Sequence, residues 1–120
     1  MTVTFTIPVR IYSEANLREH WRKKAKRVKS QRDAACLLTK QAFGWRMPHG
    51  RWAFTLIRIA PRELDTDNLA RSMKAIRDGI ADALNIDDGD SQHLWVCDQE
   101  QGIPKVHQVR VEIERRGDEG

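Results

Sequence analysis

Asp65 and Asp67 stand two residues apart in Glu-Leu-Asp-Thr-Asp-Asn, and a second acidic knot, Asp87, Asp88 and Asp90, follows one helix-length later. Residues 63–90 hold eight of the chain's seventeen Asp and Glu. Carboxylates gathered this way suit a hard divalent cation, Mg2+ first and Mn2+ second, which binds through oxygen. A cation held against a phosphodiester activates the attacking water and steadies the leaving oxygen. Arg71 and Lys74, between the knots, are of the type that stabilises charge building on a phosphate. Without a cation, convergent carboxylates repel one another and cost stability. Simpler roles compete. An Asp at a helix start caps the helix and opposes its dipole, and Asp-Asp-Gly-Asp is a favoured polar turn. Neither knot has the sixth-position Gly and alternating ligands of an EF-hand loop. His20, His49, His93 and His107 show no metal-ligand spacing.

The charge of the whole chain gives the knots a context. The net charge is +4, yet residues 1–60 carry thirteen Lys and Arg against three acids, and residues 61–120 carry eight against fourteen. A basic half suits a polyanion, and an acidic half suits cations. The basic residues concentrate in Arg18, Arg22, Lys23, Lys24, Lys26, Arg27, Lys29 and Arg32, dense enough to cover more than one face of a helix. Such a helix holds DNA phosphates whatever the base sequence. A merely solvated helix is the competing reading for any single residue. No apolar run approaches the ~18 residues that read as a membrane span. The start, Met-Thr-Val-Thr-Phe-Thr-Ile-Pro-Val-Arg, lacks signal-peptide features, so a cytoplasmic protein is expected. Cys36 and Cys97 form no Cys-x-x-Cys pair and read as reduced structural thiols.

The elements that must position these groups follow from periodicity. Val3, Phe5, Ile7, Val9 and Ile11 alternate with polar residues, the pattern of a half-buried strand, and Pro8 marks it as an edge strand. Residues 13–43 predict a long helix whose apolar stripe runs through Leu17, Trp21, Ala25, Val28, Ala35, Leu38 and Ala42, which places Trp21 in the core. Residues 52–60, Trp-Ala-Phe-Thr-Leu-Ile-Arg-Ile-Ala, are strand formers too apolar for the surface. A second helix is expected over 67–84, buried along Leu69, Met73, Ile76, Ile80 and Leu84. At about 100° per residue, Asp67, Arg71, Lys74, Asp78 and Asp82 share its opposite, polar face. Strands are expected at 93–97 and 105–114, joined through Gly102 and Pro104. The order β-α-β-α-β-β predicts one α+β domain over 1–114, a mixed sheet of about four strands with two main helices, and a frayed tail at 115–120. If the chain is still extended at Asp65 and Asp67, both side chains point the same way. The helix alone separates the two knots, which meet only if the chain turns back along it after Asn85.

Asp65-Thr66-Asp67-Asn68, then Lys74-Ala75-Ile76-Arg77-Asp78, then Asp87-Asp88 with Gln92 close behind, resembles the motif order of the RusA family of Holliday junction resolvases over about residues 63–114. The resemblance implies a small α+β homodimer that binds four-way DNA junctions and cuts two opposed strands with Mg2+. It implies Asp65, Asp67 and Asp88 as catalytic carboxylates and metal ligands, with Asp87 as a further ligand. Lys74 corresponds to the active-site lysine. Arg71 stands four residues after Asp67, the spacing of the family's lysine, and Lys74 stands seven after, so either can fill the basic role. Gly89-Asp90 is an insertion in the Asp-Asp…Gln segment. Arg22, Lys23, Lys24, Lys26, Arg27, Lys29 and Arg71 are then the expected DNA contacts, and no small-molecule organic cofactor is indicated. Two other function classes stay open: a non-catalytic branched-DNA binding protein with a vestigial acidic cluster, and a structural protein whose charge split serves partner docking.

Overall fold

The computed structural model describes residues 2–13, 18–46, 49–87 and 89–116. Asp88, assigned above as a catalytic carboxylate, lies outside the described residues, as do Leu17 and the 117–120 end of the tail. The elements are β1 (Thr2–Ile7), α1 (Trp21–Ala42), β2 (Trp52–Ala60), α2 (Thr66–Ser72), α3 (Lys74–Leu84), β3 (Leu94–Gln101) and β4 (Gln108–Arg115). They form an α+β domain with a four-stranded mixed sheet in the order β1-β4-β2-β3. No helix among the described residues is long and apolar enough to cross a membrane.

Side-chain alternation sets the sheet's two faces. Phe54 and Leu56 of β2, Val109, Val111 and Ile113 of β4, and Ile7 of β1 are fully buried and belong to one core with Ala35 of α1 and Ile76, Ile80 and Leu84 of α3. The intervening residues, among them Thr4, Thr55, Arg110 and Glu112, take the other face, where Arg110 pairs with Glu100 at 2.6 Å and with Glu112 at 3.0 Å. β2 is central, between β4 and β3, which accounts for its mostly apolar sequence, interrupted at Thr55 and Arg58. β1 is an edge strand, as Pro8 implies, although β1 itself stops at Ile7. The last two strands do not pair with each other. β3 runs parallel to β2, while β4 inserts antiparallel between β1 and β2.

Several expectations change, the frayed tail among them, since Arg115 ends β4 and the Arg116 N–H donates to the Arg51 carbonyl. The first helix begins at Trp21, not at residue 13, and Trp21 lies at its N-terminus, 68% exposed, instead of in the core. The core-facing stretch of α1 starts well into the helix, at Gln31, Ala35 and Thr39. The second helix is divided at Met73, whose φ of −93° and ψ of 1° lie in the bridge region. There the Met73 N–H is shared between the Leu69 and Ala70 carbonyls, a tightened turn that separates α2 from α3. The third strand runs to Gln101, well past Cys97.

α1 and α3 pack directly against each other. Gly79 makes this possible, since a Cβ there would sit 2.3 Å from the Arg32 carbonyl oxygen and 2.7 Å from the Ala35 Cβ. Beside that contact, Arg32 donates to both Asp82 oxygens, at 2.6 and 2.9 Å. The hydrogen bond from Arg32 holds the Asp82 carboxyl below its usual range. α3 ends at Asn85, left-handed at φ 53°, where the Ile86 N–H reaches the Ala81 carbonyl. Asn tolerates this conformation better than most side chains.

Candidate functional site

Asp65 sits where β2 has ended and α2 begins. Its backbone is extended (φ −59°, ψ 143°), and its carbonyl accepts from the Asn68 and Leu69 N–H groups. It is the N-cap by position, but its side chain makes no capping hydrogen bond. Asp67 lies in the first turn of α2. The chain is therefore already helical at Asp67, and the two carboxylates are neighbours at a helix start instead of alternate residues on a strand. Both are exposed, and neither side chain bonds any described residue. Carboxylates that cap or pair would be committed to the fold; these two face solvent.

Polar contacts from the neighbouring strand fix this corner. Gln99 of β3 donates from Nε2 to the Leu64 carbonyl at 2.7 Å and accepts from the Leu64 N–H at 2.9 Å. This two-point clamp holds the backbone immediately before Asp65. Arg58 of β2 donates to the Arg62 carbonyl at 2.7 Å and braces the preceding turn. Sequence reading gives neither residue a role. Gln99 stands beside Arg58 in the parallel register, and only that pairing discloses the contact.

The second knot lies elsewhere. His93 accepts the Trp52 N–H on Nδ1, and Arg116 donates to the Gln92 carbonyl, so the turn before β3 sits at the Trp52 end of β2. Asp65 follows the opposite, Ala60 end. From the Ala53–Leu94 pair to the Ala60–Gln101 pair the register spans on the order of 25 Å. One chain therefore does not bring Asp87 and Asp90 to Asp65 and Asp67. Asp87 accepts from the Gly89 N–H at 2.9 Å, and Asp90 from the Gln92 N–H at 2.9 Å. These side chains build the turn, as such residues do when they bond the backbone two positions on. Among the described residues, no group of three His, Cys, Asp or Glu is arranged to hold a metal ion.

The basic candidates divide as well. Lys74, at the start of α3, is exposed and pairs with Asp78 at 3.1 Å, one helical turn along. Such exposed pairs are worth only ~0.2–0.5 kcal/mol and are readily exchanged for another anion. Arg71, in the last turn of α2, is exposed and pairs with no described residue. On α1, Arg22, Lys23, Lys24, Lys26 and Lys29 are exposed. Lys29 pairs with Asp33 at 2.7 Å, and the Arg22 guanidinium lies over the Trp21 ring. Arg27 is half-buried, bonded through Nε and Nη2 to Glu19 and lying over Tyr12, so its charge is matched within the fold. Gln31 donates to the Arg10 carbonyl, and Arg58 Nε reaches the Ile11 carbonyl. These bonds place the α1 segment around Arg27–Gln31 at the Arg58 end of β2. The exposed basic turns of α1 therefore project from the same end of the sheet as Asp65 and Asp67.

No family model matches the chain. It is similar to an uncharacterized protein of Xylella fastidiosa (strain Temecula1), 39% identical over 79 residues, an alignment covering 61% of this chain and 51% of that protein. The chain thus matches about half the length of that relative.

Proposed function

We propose that this chain is a cytoplasmic, divalent-metal-dependent, structure-selective DNA endonuclease of the RusA-like kind, which resolves four-way junctions by paired phosphodiester hydrolysis. The observation that carries the reading is the placement of two unpartnered carboxylates, Asp65 and Asp67, at the end of the sheet from which the basic turns of α1 project. The donor set fits Mg2+, which takes one or two protein carboxylates, keeps several waters and completes its shell with substrate phosphate. Asp65 and Asp67 would hold it, and when bound it supplies an activated water and a Lewis acid for the leaving oxygen. Arg71 and Lys74 face the developing phosphoryl charge, Lys74 by giving up its exposed bond to Asp78. Arg22, Lys23, Lys24, Lys26 and Lys29 hold the flanking DNA through its phosphates.

Paired incision calls for two sites, and a homodimer supplies them by symmetry. A single cation shared by both acidic knots takes them from two chains, because one chain holds them about a β-strand's length apart. A second reading has its own support: Asp87 and Asp90 are spent on a turn and Lys74 on an ion pair, which suits a branched-DNA binding protein that no longer cuts. Incision of a synthetic four-way junction decides between them. The nuclease reading expects symmetric nicks in Mg2+, none in EDTA, and a fall in rate on the order of a hundredfold or more in Asp67→Asn with junction binding retained. Binding without any nick in Mg2+ or Mn2+ refutes it and supports the second reading.

A further inference from the structure

A cleft of about 270 Å³ opens at the same end of the sheet, lined by Arg10, Arg58, Pro61, Arg62 and His107. Three segments distant in sequence build it: the chain leaving β1, the end of β2 with the turn that follows it, and the approach to β4. Three guanidiniums share this small space, and no described carboxylate pairs with any of them. Arg10 lies over the Tyr12 ring and makes no ion pair with a described residue. Arg58 is only 7% exposed, spends Nε on the Ile11 carbonyl and Nη1 on the Arg62 carbonyl, and makes no bond through Nη2 to a described residue. The His107 Nδ1 is buried with no hydrogen-bond partner among the described residues.

A buried, unneutralised cation is costly, and proteins retain one chiefly where an anion completes it. Burial, then the Arg10 charge, pulls the Arg58 guanidinium below its ordinary range, and burial followed by Arg10 and Arg58 does the same to the His107 imidazole. Both directions follow first from burial and second from the neighbouring guanidiniums, in keeping with a site where no described carboxylate offsets them. The lining decides the class of anion. Small-molecule sites are larger, from ~300 Å³, and three of the five residues lining this cleft are arginines. Convergent guanidiniums match the several-oxygen face of a phosphate, to which they donate in pairs. Position decides the source: Arg62 precedes Asp65 by three residues, and the Arg58–Arg62 bond ties the cleft to the backbone leading into α2.

We propose that the Arg10, Arg58, Arg62 and His107 cleft binds one backbone phosphate of the DNA strand lying across Asp65 and Asp67. This rests on the DNA-endonuclease reading and adds to it the residues that fix where the strand lies. The cleft is a positioning site, since its groups touch a neighbouring phosphate and not the bond that is cut.

The test uses the full chain and the exposed Arg10→Gln and Arg62→Gln variants, whose folding is checked by circular dichroism, because Arg58 is too buried to change safely. Junction affinity is measured with Ca2+ in place of Mg2+ over a range of salt. Each variant should weaken binding about tenfold, as expected when a bond to a charged group is removed. Each should also lower the salt slope by about one. If both arginines hold one phosphate, the double variant also lowers the slope by about one; two separately solvated arginines would lower it by about two, and that result overturns the single-phosphate cleft. In parallel, inorganic phosphate at constant ionic strength should shift the His107 ring nitrogen resonances saturably in the parent and not in the double variant. Affinities within about twofold of the parent, or phosphate saturation by a protein with no affinity for DNA, overturn the proposal. Failure of the nuclease reading registers separately: a junction held through the cleft but never nicked in Mg2+ leaves the cleft standing and removes the enzyme.

Discussion

Gly79→Ala sets two effects of opposite sign against each other at the α1–α3 contact. In an exposed helix the change would stabilise by ~0.8–1 kcal/mol, because alanine loses less backbone freedom on folding. Here the added Cβ would stand 2.3 Å from the Arg32 carbonyl oxygen and 2.7 Å from the Ala35 Cβ. Neither atom is the end of a flexible side chain. Carbon contacts are comfortable only near ~3.5 Å, so the helices must part by about 1 Å. A gap of that size forfeits a quarter to a half of the attraction along the seam. It also stretches the neighbouring Arg32–Asp82 pair from its present 2.6 Å. Overpacking of this kind costs ~1–3 kcal/mol or more, and the rigidity of the backbone oxygen puts this case at the upper end. The net expectation is a loss of about 2 kcal/mol, or a fall in Tm of roughly 8 °C for a domain of this size. Urea unfolding should show a lower midpoint with an unchanged m-value. A variant as stable as the parent, or more so, would mean that helix propensity outweighs the close crossing and that the helices do not meet as described.

Gln99→Leu removes both bonds to Leu64 and leaves its N–H and carbonyl half-buried, so a loss of ~1–3 kcal/mol is expected by urea unfolding, with junction cleavage falling further than junction binding; unchanged cleavage would show that the clamp does not position Asp65. Asp82→Asn tests the sign of a depressed carboxyl. Asp82 titrates lower in the folded chain than its unfolded value of ~3.9, so its contribution is complete above that pH and disappears as pH falls through the folded value. Parent and variant should therefore differ by a constant amount, at most ~1 kcal/mol for so exposed a pair, at neutral pH, and should converge below about pH 4. Lys23→Ala with Lys24→Ala should weaken DNA binding evenly across sequences and lower the salt slope by about one for each phosphate no longer neutralised, whereas an unaltered slope would remove this part of α1 from the interface.

What the sequence discloses and what it withholds divide along sequence distance. Alternation in Val3-Phe5-Ile7 and Val109-Val111-Ile113 predicts strands because each strand's burial pattern is local, and the apolar run at 52–60 predicts a central strand for the same reason. The placement of Asp65 between strand and helix is legible too. Trp21 is misplaced by its spacing because a helical stripe does not record where the partner surface ends; α1 outruns the core, and its first fully buried residue is Gln31. The division at Met73 leaves the apolar spacing intact on both sides, so periodicity carries no trace of it. Arg32–Asp82, Gln99–Leu64 and the arginine cleft each join residues whose proximity depends on the strand order, and Arg58 reads as an intruder in an apolar strand until that order is known.

Two exposed carboxylates alone would repel a polyanion, and this bears on why the basic groups sit where they do. At a surface dielectric, each carboxylate–phosphate repulsion at 4–8 Å amounts to roughly 2–4 kcal/mol before salt screening. A strand brought to Asp65 and Asp67 therefore needs attraction from elsewhere on the same surface. The basic turns of α1 and the arginine cleft stand at the Asp65 end, while Arg51, Arg115 and Arg116 stand at the Trp52 end. On the nuclease reading, the exposed turns of α1 would act across the long reach of an approaching duplex, where their field would raise the encounter rate. The cleft of Arg10, Arg58, Arg62 and His107 would act at short range, where a desolvated guanidinium attracts more strongly than a solvated one. The Asp87–Asp90 turn lies at the other end, where its negative charge opposes neither. Moving that turn's charge to the Asp65 end would work against binding unless a cation arrived with it.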